Sequence, residues 1–172
     1  GFSSAASDVY KRQRLDNPFN ITLGDIDADG DLDLFVTQYK PPYRHGQMPT
    51  PYYDANDGFP AYLLRHEGGG TFTDITAEAG LAAKQHRRTY TSSLIDLDED
   101  RDLDLLVVSD FSGADVYEND GTGKFRDVTD SALDERASFG MSYTFGDYDG
   151  DGHDDLYVCL LYTSPSPRDD CP

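Results

Sequence analysis

Residues 23–37 read LGDIDADGDLDLFVT. Asp25, Asp27, Asp29 and Asp33 stand at positions 1, 3, 5 and 9 of this stretch, Gly30 at position 6, and a β-rich apolar run follows. Alternate side chains around a tight loop converge on a point, and aspartate is short enough to reach it. Position 7, Asp31, would add its backbone carbonyl. Two more lines stack beneath: LIDLDEDRDLDLLVV from Leu94 and FGDYDGDGHDDLYVC from Phe145. They supply Asp96, Asp98, Asp100 and Asp104 with Asp102 at position 7, and Asp147, Asp149, Asp151 and Asp155 with His153 there. A cage of roughly six or seven oxygens is what Ca²⁺ prefers. Oxygen ligands without cysteine or organised histidine argue against zinc and copper. The residues expected at metal are therefore these fifteen, for up to three Ca²⁺ ions. A single D-x-D is usually a solvated acidic turn, but three in one register, each entering an apolar strand, weigh against that.

Two carboxylates about 4 Å apart repel by ~1 kcal/mol in a water-like medium and ~4 kcal/mol near a protein surface. An empty loop of this kind splays or takes up protons, and a divalent cation turns the repulsion into attraction. An EF-hand needs a bidentate Glu at position 12 between helices. The twelfth residues here are Val36, Val107 and Val158, within β-rich runs, so the loops depart from that fold. Arg101 replaces glycine at position 6 of the middle loop. It costs ~1–2 kcal/mol if a left-handed backbone is kept there, so the middle site is expected to be the weakest.

The loops belong to a longer repeat. HEGGGTFTDIT from His66 and ENDGTGKFRDVT from Glu118 share a Gly-rich turn followed by Phe, Asp and Thr. Asp96 to Asp147 spans 51 residues; Asp25 to Asp96 spans 71, and 18 of the additional residues lie within 38–60, rich in Pro and Tyr. That is an insertion in one repeat. Strands are expected at Phe19–Gly24, Thr89–Ile95 and Ser142–Gly146 before the loops, and at Leu32–Thr37, Leu103–Ser109 and Leu156–Leu160 after them. Third strands fall at Tyr62–His66 and Asp115–Glu118, and fourth strands around Phe72 and Phe125. Helical character is confined to Ala77–Ala83. Short strands and Gly-rich turns at a period near 50 point to an all-β fold, a partial β-propeller of two complete blades and the start of a third.

The composition agrees. The 172 residues carry a net charge of −19, and of 33 acids 28 are Asp, with 16 of the 33 in the three loops. Disordered or helical acidic chains favour Glu, since Asp is a poor helix former. Nucleic-acid binding needs a basic face, and no apolar run approaches the ~18 residues of a membrane span. Neither nucleic acid nor membrane insertion is expected. Two cysteines provide no disulfide framework. Residues 1–13 and 162–172 lack strand or helix periodicity. They resemble peptides from translated sequencing-adapter DNA at the ends of unrelated reading frames; natural disordered tails are the other reading. Both leave residues 14–161 as the folded unit, which reads as a piece of something longer.

The D-x-D-x-D-G-x-x-D-L loops together with GGGTFTDITAEAGL (Gly68–Leu81) resemble the FG-GAP/VCBS repeat family, and within it the cartilage-acidic-protein branch. The resemblance spans roughly residues 14–161. Phe-Gly stands at a loop only once, Phe145-Gly146, and no Gly-Ala-Pro element occurs. The resemblance implies a propeller on a secreted or surface protein (extracellular, cell-surface or periplasmic), with calcium supporting structure. The function expected is a calcium-stabilised binding or adhesive module for a protein or glycan. An accessory, non-catalytic domain of a secreted carbohydrate-active or other hydrolytic enzyme is the alternative. Tyr39, Tyr43, Tyr52 and Tyr53 of the insertion are candidate contacts, against a loop that merely packs over the blade edge. His86-Arg87-Arg88 is either an anion contact or a solvated loop. Catalysis by this segment is not expected: the dense carboxylates are at ligand spacing, and Gly-x-Ser-x-Gly, His-Glu-x-x-His and P-loop patterns are missing from the sequence.

Overall fold

A computed structural model of the chain describes residues 15–42, 48–133 and 139–160. The expectations for Tyr43 and for segments 1–13 and 162–172 lie outside the described residues. Among these residues ten strands form three antiparallel sheets. The first holds β1 (Pro18–Gly24), β2 (Asp33–Gln38), β3 (Tyr62–His66) and β4 (Phe72–Asp74) in that order. The second holds β5 (Arg88–Ile95), β6 (Asp104–Asp110), β7 (Gly113–Asn119) and β8 (Phe125–Asp127), and the third pairs β9 (Gly140–Gly146) with β10 (Asp155–Leu160). Each four-stranded sheet is a meander of sequential neighbours, and each aspartate loop joins a first strand to a second. Among the described residues no helix is long and apolar enough to cross a membrane.

The repeat is exact in one respect that periodicity did not foretell. Register shifts skip Phe19, Tyr90 and Met141, and each lies six residues before the first aspartate of its loop. A bulge bends the strand and increases its twist, so each first strand is bent at the same distance from its loop. The first strands are also neighbours across sheets. Thr22 Oγ1 lies 2.7 Å from Ser92 Oγ, and Tyr143 OH donates to the Ser92 carbonyl at 3.0 Å.

The core lies between sheets. Successive side chains of a strand face opposite sides, and β6 uses both: Leu105 and Val107 join Phe35, Leu63, Ile75 and Phe125 on one side. Leu106 and Val108 join Val116 and Val128 on the other, with Tyr143, Phe145, Leu156 and Val158 packed against them. All seven β6 residues are buried, each large apolar side chain contributing about 1.5–3 kcal/mol. This explains why β6 reads as a continuous apolar run while β9 alternates.

The TFTDIT and KFRDVT motifs close each sheet. Asp74 Oδ1 accepts from Thr76 N and Oγ1, and Thr76 Oγ1 accepts from Leu63 N at 2.9 Å, tying β4 back to β3. Asp127, Thr129 and Val116 repeat this geometry in the second sheet. Gly80, at φ +89°, lies where a Cβ would meet the Phe125 carbonyl at 2.6 Å. The expected helical character at Ala77–Ala83 is realised as turns and a 3₁₀ turn at Ala82–Lys84; a single α-helical turn, α1 (Thr129–Ala132), was not foreseen.

The insertion joins β2 to β3 and is fastened to the second sheet. Ala55 N donates to the Phe111 carbonyl at 3.1 Å, and Ser112 Oγ to the Ala55 carbonyl at 2.6 Å. Arg88 clamps Asp57 through Nε and Nη2, both at 2.9 Å, and donates to the Lys40 carbonyl. Two expectations change here. Arg87 and Arg88 are buried in ion pairs, so they form neither a solvated loop nor a free anion contact. Tyr39 is buried, stacked on Tyr90 at 4.2 Å, with its hydroxyl on Asp110 at 2.9 Å; it packs over the sheet edge and is closed to a ligand.

Candidate metal centres

In each loop three carboxylates bring one oxygen apiece within 4.8 Å of the others: Asp25, Asp27 and Asp29; Asp96, Asp98 and Asp104; Asp147, Asp149 and Asp155. The expected convergence of positions 1, 3, 5 and 9 is thus met by three residues per loop. Position 9 stays out of the first set and position 5 out of the other two.

The backbone explains the shape. Asp25 accepts from Asp29 N and Gly30 N, both at 3.1 Å. Asp96 accepts from Arg101 N, and Asp147 from Gly150, Asp151 and Gly152. The position-1 carboxylate therefore acts as the template around which the loop turns. Position 6 is left-handed in all three, at φ 90° for Gly30, 83° for Arg101 and 94° for Gly152. Arg101 keeps the glycine conformation and with it the steric cost. Position 4 is left-handed as well, through Ala28, Glu99 and Gly150, a requirement that only the glycine at 150 advertises.

Position 9 has a second task. Asp33, 1% exposed, accepts from Ile26 N at 3.1 Å and from His66 N at 2.8 Å. Asp104 does the same with Leu97 N and Asn119 N, both at 2.9 Å. One carboxylate thus joins the loop to the last residue of the third strand. Asp155, exposed, accepts from Tyr148 N. Asn119 was not foreseen either: its Nδ2 donates to the Ile26 carbonyl at 2.8 Å, locking the first loop to the second sheet. Position 2 follows suit. Ile26 is buried against the second sheet, Leu97 is partly buried against the third, and Tyr148 is 94% exposed.

At position 7, Asp31 Oδ2 lies 3.2 Å from His66 Nδ1, while His66 Nε2 accepts from Gly70 N. That acceptor role places the ring proton on Nδ1, facing Asp31. His153 Nδ1 lies 3.0 Å from Glu99 Oε1, so the third loop touches the second, and this contact raises the imidazole pKa.

The electrostatics favour a cation. Desolvation, with the charges of Asp29, Asp33 and Asp25, raises the Asp27 carboxyl above its ordinary value. Desolvation also raises Asp98 and Asp104, reinforced by their loop neighbours. Asp102 is pushed up to about 6 by desolvation and by Asp100 beside it. Asp27 Oδ1, Asp96 Oδ1 and Asp102 Oδ1 are buried with no hydrogen-bond donor among the described residues. Buried acceptors are normally satisfied, and hard oxygen donors converging on one point fit a divalent ion such as Ca²⁺, whose oxygens sit at roughly 2.3–2.6 Å.

No curated protein matches this chain. The family match concerns the repeat and does not point to the cartilage-acidic-protein branch. Residues 96–158, from the first aspartate of the middle loop into the last described strand, carry an FG-GAP-like repeat.

Proposed function

We propose that the chain is a calcium-binding β-propeller module of an extracellular, cell-surface or periplasmic protein, with a structural and adhesive role and no catalysis of its own. Up to three Ca²⁺ ions occupy the loops, held by Asp25, Asp27 and Asp29, by Asp96, Asp98 and Asp104, and by Asp147, Asp149 and Asp155. Asp31, Asp102 and His153 add carbonyls; Asp33, Asp100 and Asp151 close the cages. The reading is carried by Asp27 Oδ1 and Asp96 Oδ1, buried without a donor among the described residues, in two of the three sets of converging aspartates. The propeller is supported by sheets that stack with first strand beside first strand. An extracellular location suits such a module, since calcium sites of that class bind at ~10⁻⁴–10⁻³ M and would be filled there.

Millimolar calcium then adds up to about 1.4 kcal/mol per site, or at most roughly 3–6 °C of melting temperature each for a chain of this size. Thermal melts in calcium and in chelator test this. Superimposable melts, with no heat on calorimetric titration, would refute it.

A further inference from the structure

The end of the molecule away from the aspartate loops contains a cleft of about 280 Å³. Tyr53 and Asp54 come from the insertion, Lys84 and Arg87 from the connection between β4 and β5, Ser112 from the β6–β7 turn and Asp115 from β7. Its polar groups are held at fixed spacing. Arg87 Nη2 donates to Asp54 Oδ1 at 2.6 Å, and its Nε lies 3.0 Å from Asp115 Oδ2. Lys84 Nζ sits 2.7 Å from Asp115 Oδ1 and 2.6 Å from Asp127 Oδ2.

Two cations among three carboxylates leave no surplus positive charge, so the cleft is unsuited to phosphate or another anion. A buried ion pair is a weak source of stability compared with apolar packing. Yet Arg87 and Asp115, 6% and 2% exposed, are kept beside an open volume. One wall is aromatic. Tyr53 is 64% exposed, and its ring is set edge-to-face on Tyr52 at 5.1 Å, which in turn packs on Phe111 at 5.4 Å. A braced ring with an open surface is a stacking platform.

We propose that this cleft binds a single sugar ring. Vicinal hydroxyls both donate and accept, which matches a carboxylate–guanidinium pair, and the C–H face of a pyranose suits an aromatic surface. The volume of about 280 Å³ falls just below the roughly 300–1,000 Å³ of small-molecule pockets, which selects one ring over an extended chain. The assignment rests on the binding-module reading and names its ligand, through residues that take no part in the calcium loops.

The test is saturation-transfer NMR of the full chain in millimolar calcium against glucose, galactose, mannose and N-acetylglucosamine. Transfer to the ring protons of at least one sugar is expected. Tyr53→Ala should weaken it at least about tenfold at unchanged melting temperature, Asp54→Asn should weaken it in a protein whose melt shows it still folded, and Tyr53→Phe retains binding. No transfer from any of the four, or transfer surviving both Tyr53→Ala and Asp54→Asn, overturns the proposal. A calcium-dependent melt on the same samples separates the two readings: a normal calcium shift without sugar transfer removes the sugar site alone.

Discussion

The two ends of the molecule use aspartate in opposite ways. At the insertion end four carboxylates have a cation: Asp57 the Arg88 guanidinium, Asp54 and Asp115 that of Arg87, Asp127 the Lys84 ammonium, while Asp110 accepts from the Tyr39 hydroxyl. At the loop end aspartates face one another, and among the described residues no lysine or arginine pairs with them. The same side chain is a finished ion pair in one place and half of an ion site in the other. What differs is the placement of the basic residues. Lys84, Arg87 and Arg88 lie in the connection into β5 and at its first residue, far from the loops, while Arg101 sits in a loop and pairs with none of its aspartates.

This contrast breaks most readily at Asp57. Asp57→Asn leaves the buried Arg88 short of its bidentate partner and should cost about 3 kcal/mol, equally in calcium and in chelator. A loss that depended on calcium would mean that the ends are coupled. The pH dependence has a definite sign. Hydrogen bonds from Arg88 hold the Asp57 carboxyl below its ordinary value. Its contribution is therefore complete above the usual carboxylate pKa of about 3.9 and is lost as pH falls through the folded value. Acid titration of stability should accordingly show a shallower limb below about pH 4 in the variant than in the natural chain.

Next in size is Asp104→Asn against Asp155→Asn. Asparagine at 104 turns one of two buried amide contacts into a donor facing a donor, costing about 2 kcal/mol even in chelator. At the exposed Asp155 the same change should stay within about 0.5 kcal/mol until calcium is added. Equal costs in chelator would deny position 9 its part in joining loop to sheet. The smallest effect is a gain. Arg101→Gly relieves the left-handed backbone by about 1 kcal/mol and should tighten calcium binding at the middle loop, read by calorimetric titration. A loop already as tight as the first, or one that glycine does not improve, would show that Arg101 is no handicap.

Much of the fold was legible because its signals are local. The second strands follow from apolar runs bounded by Asp and Gly, and the third strand Tyr62–His66 was placed to the residue. The insertion between β2 and β3 showed as an excess over the repeat period. Less legible were features whose cause lies in a distant partner. Nothing in HRR announces that Arg87 and Arg88 are buried, since their carboxylates come from positions 54, 57 and 115. The bulges at Phe19, Tyr90 and Met141 have no common residue type to mark them.

The amino-acid sequence by itself determined the three aspartate loops, their register and their all-β setting, because side-chain alternation and turn chemistry act over a few residues. Only the tertiary structure decided which aspartates converge, which carry amide bonds between strands, and which loop is held by a following sheet. Those outcomes depend on backbone donors and cations brought from tens of residues away, and spacing along the chain carries no information about them.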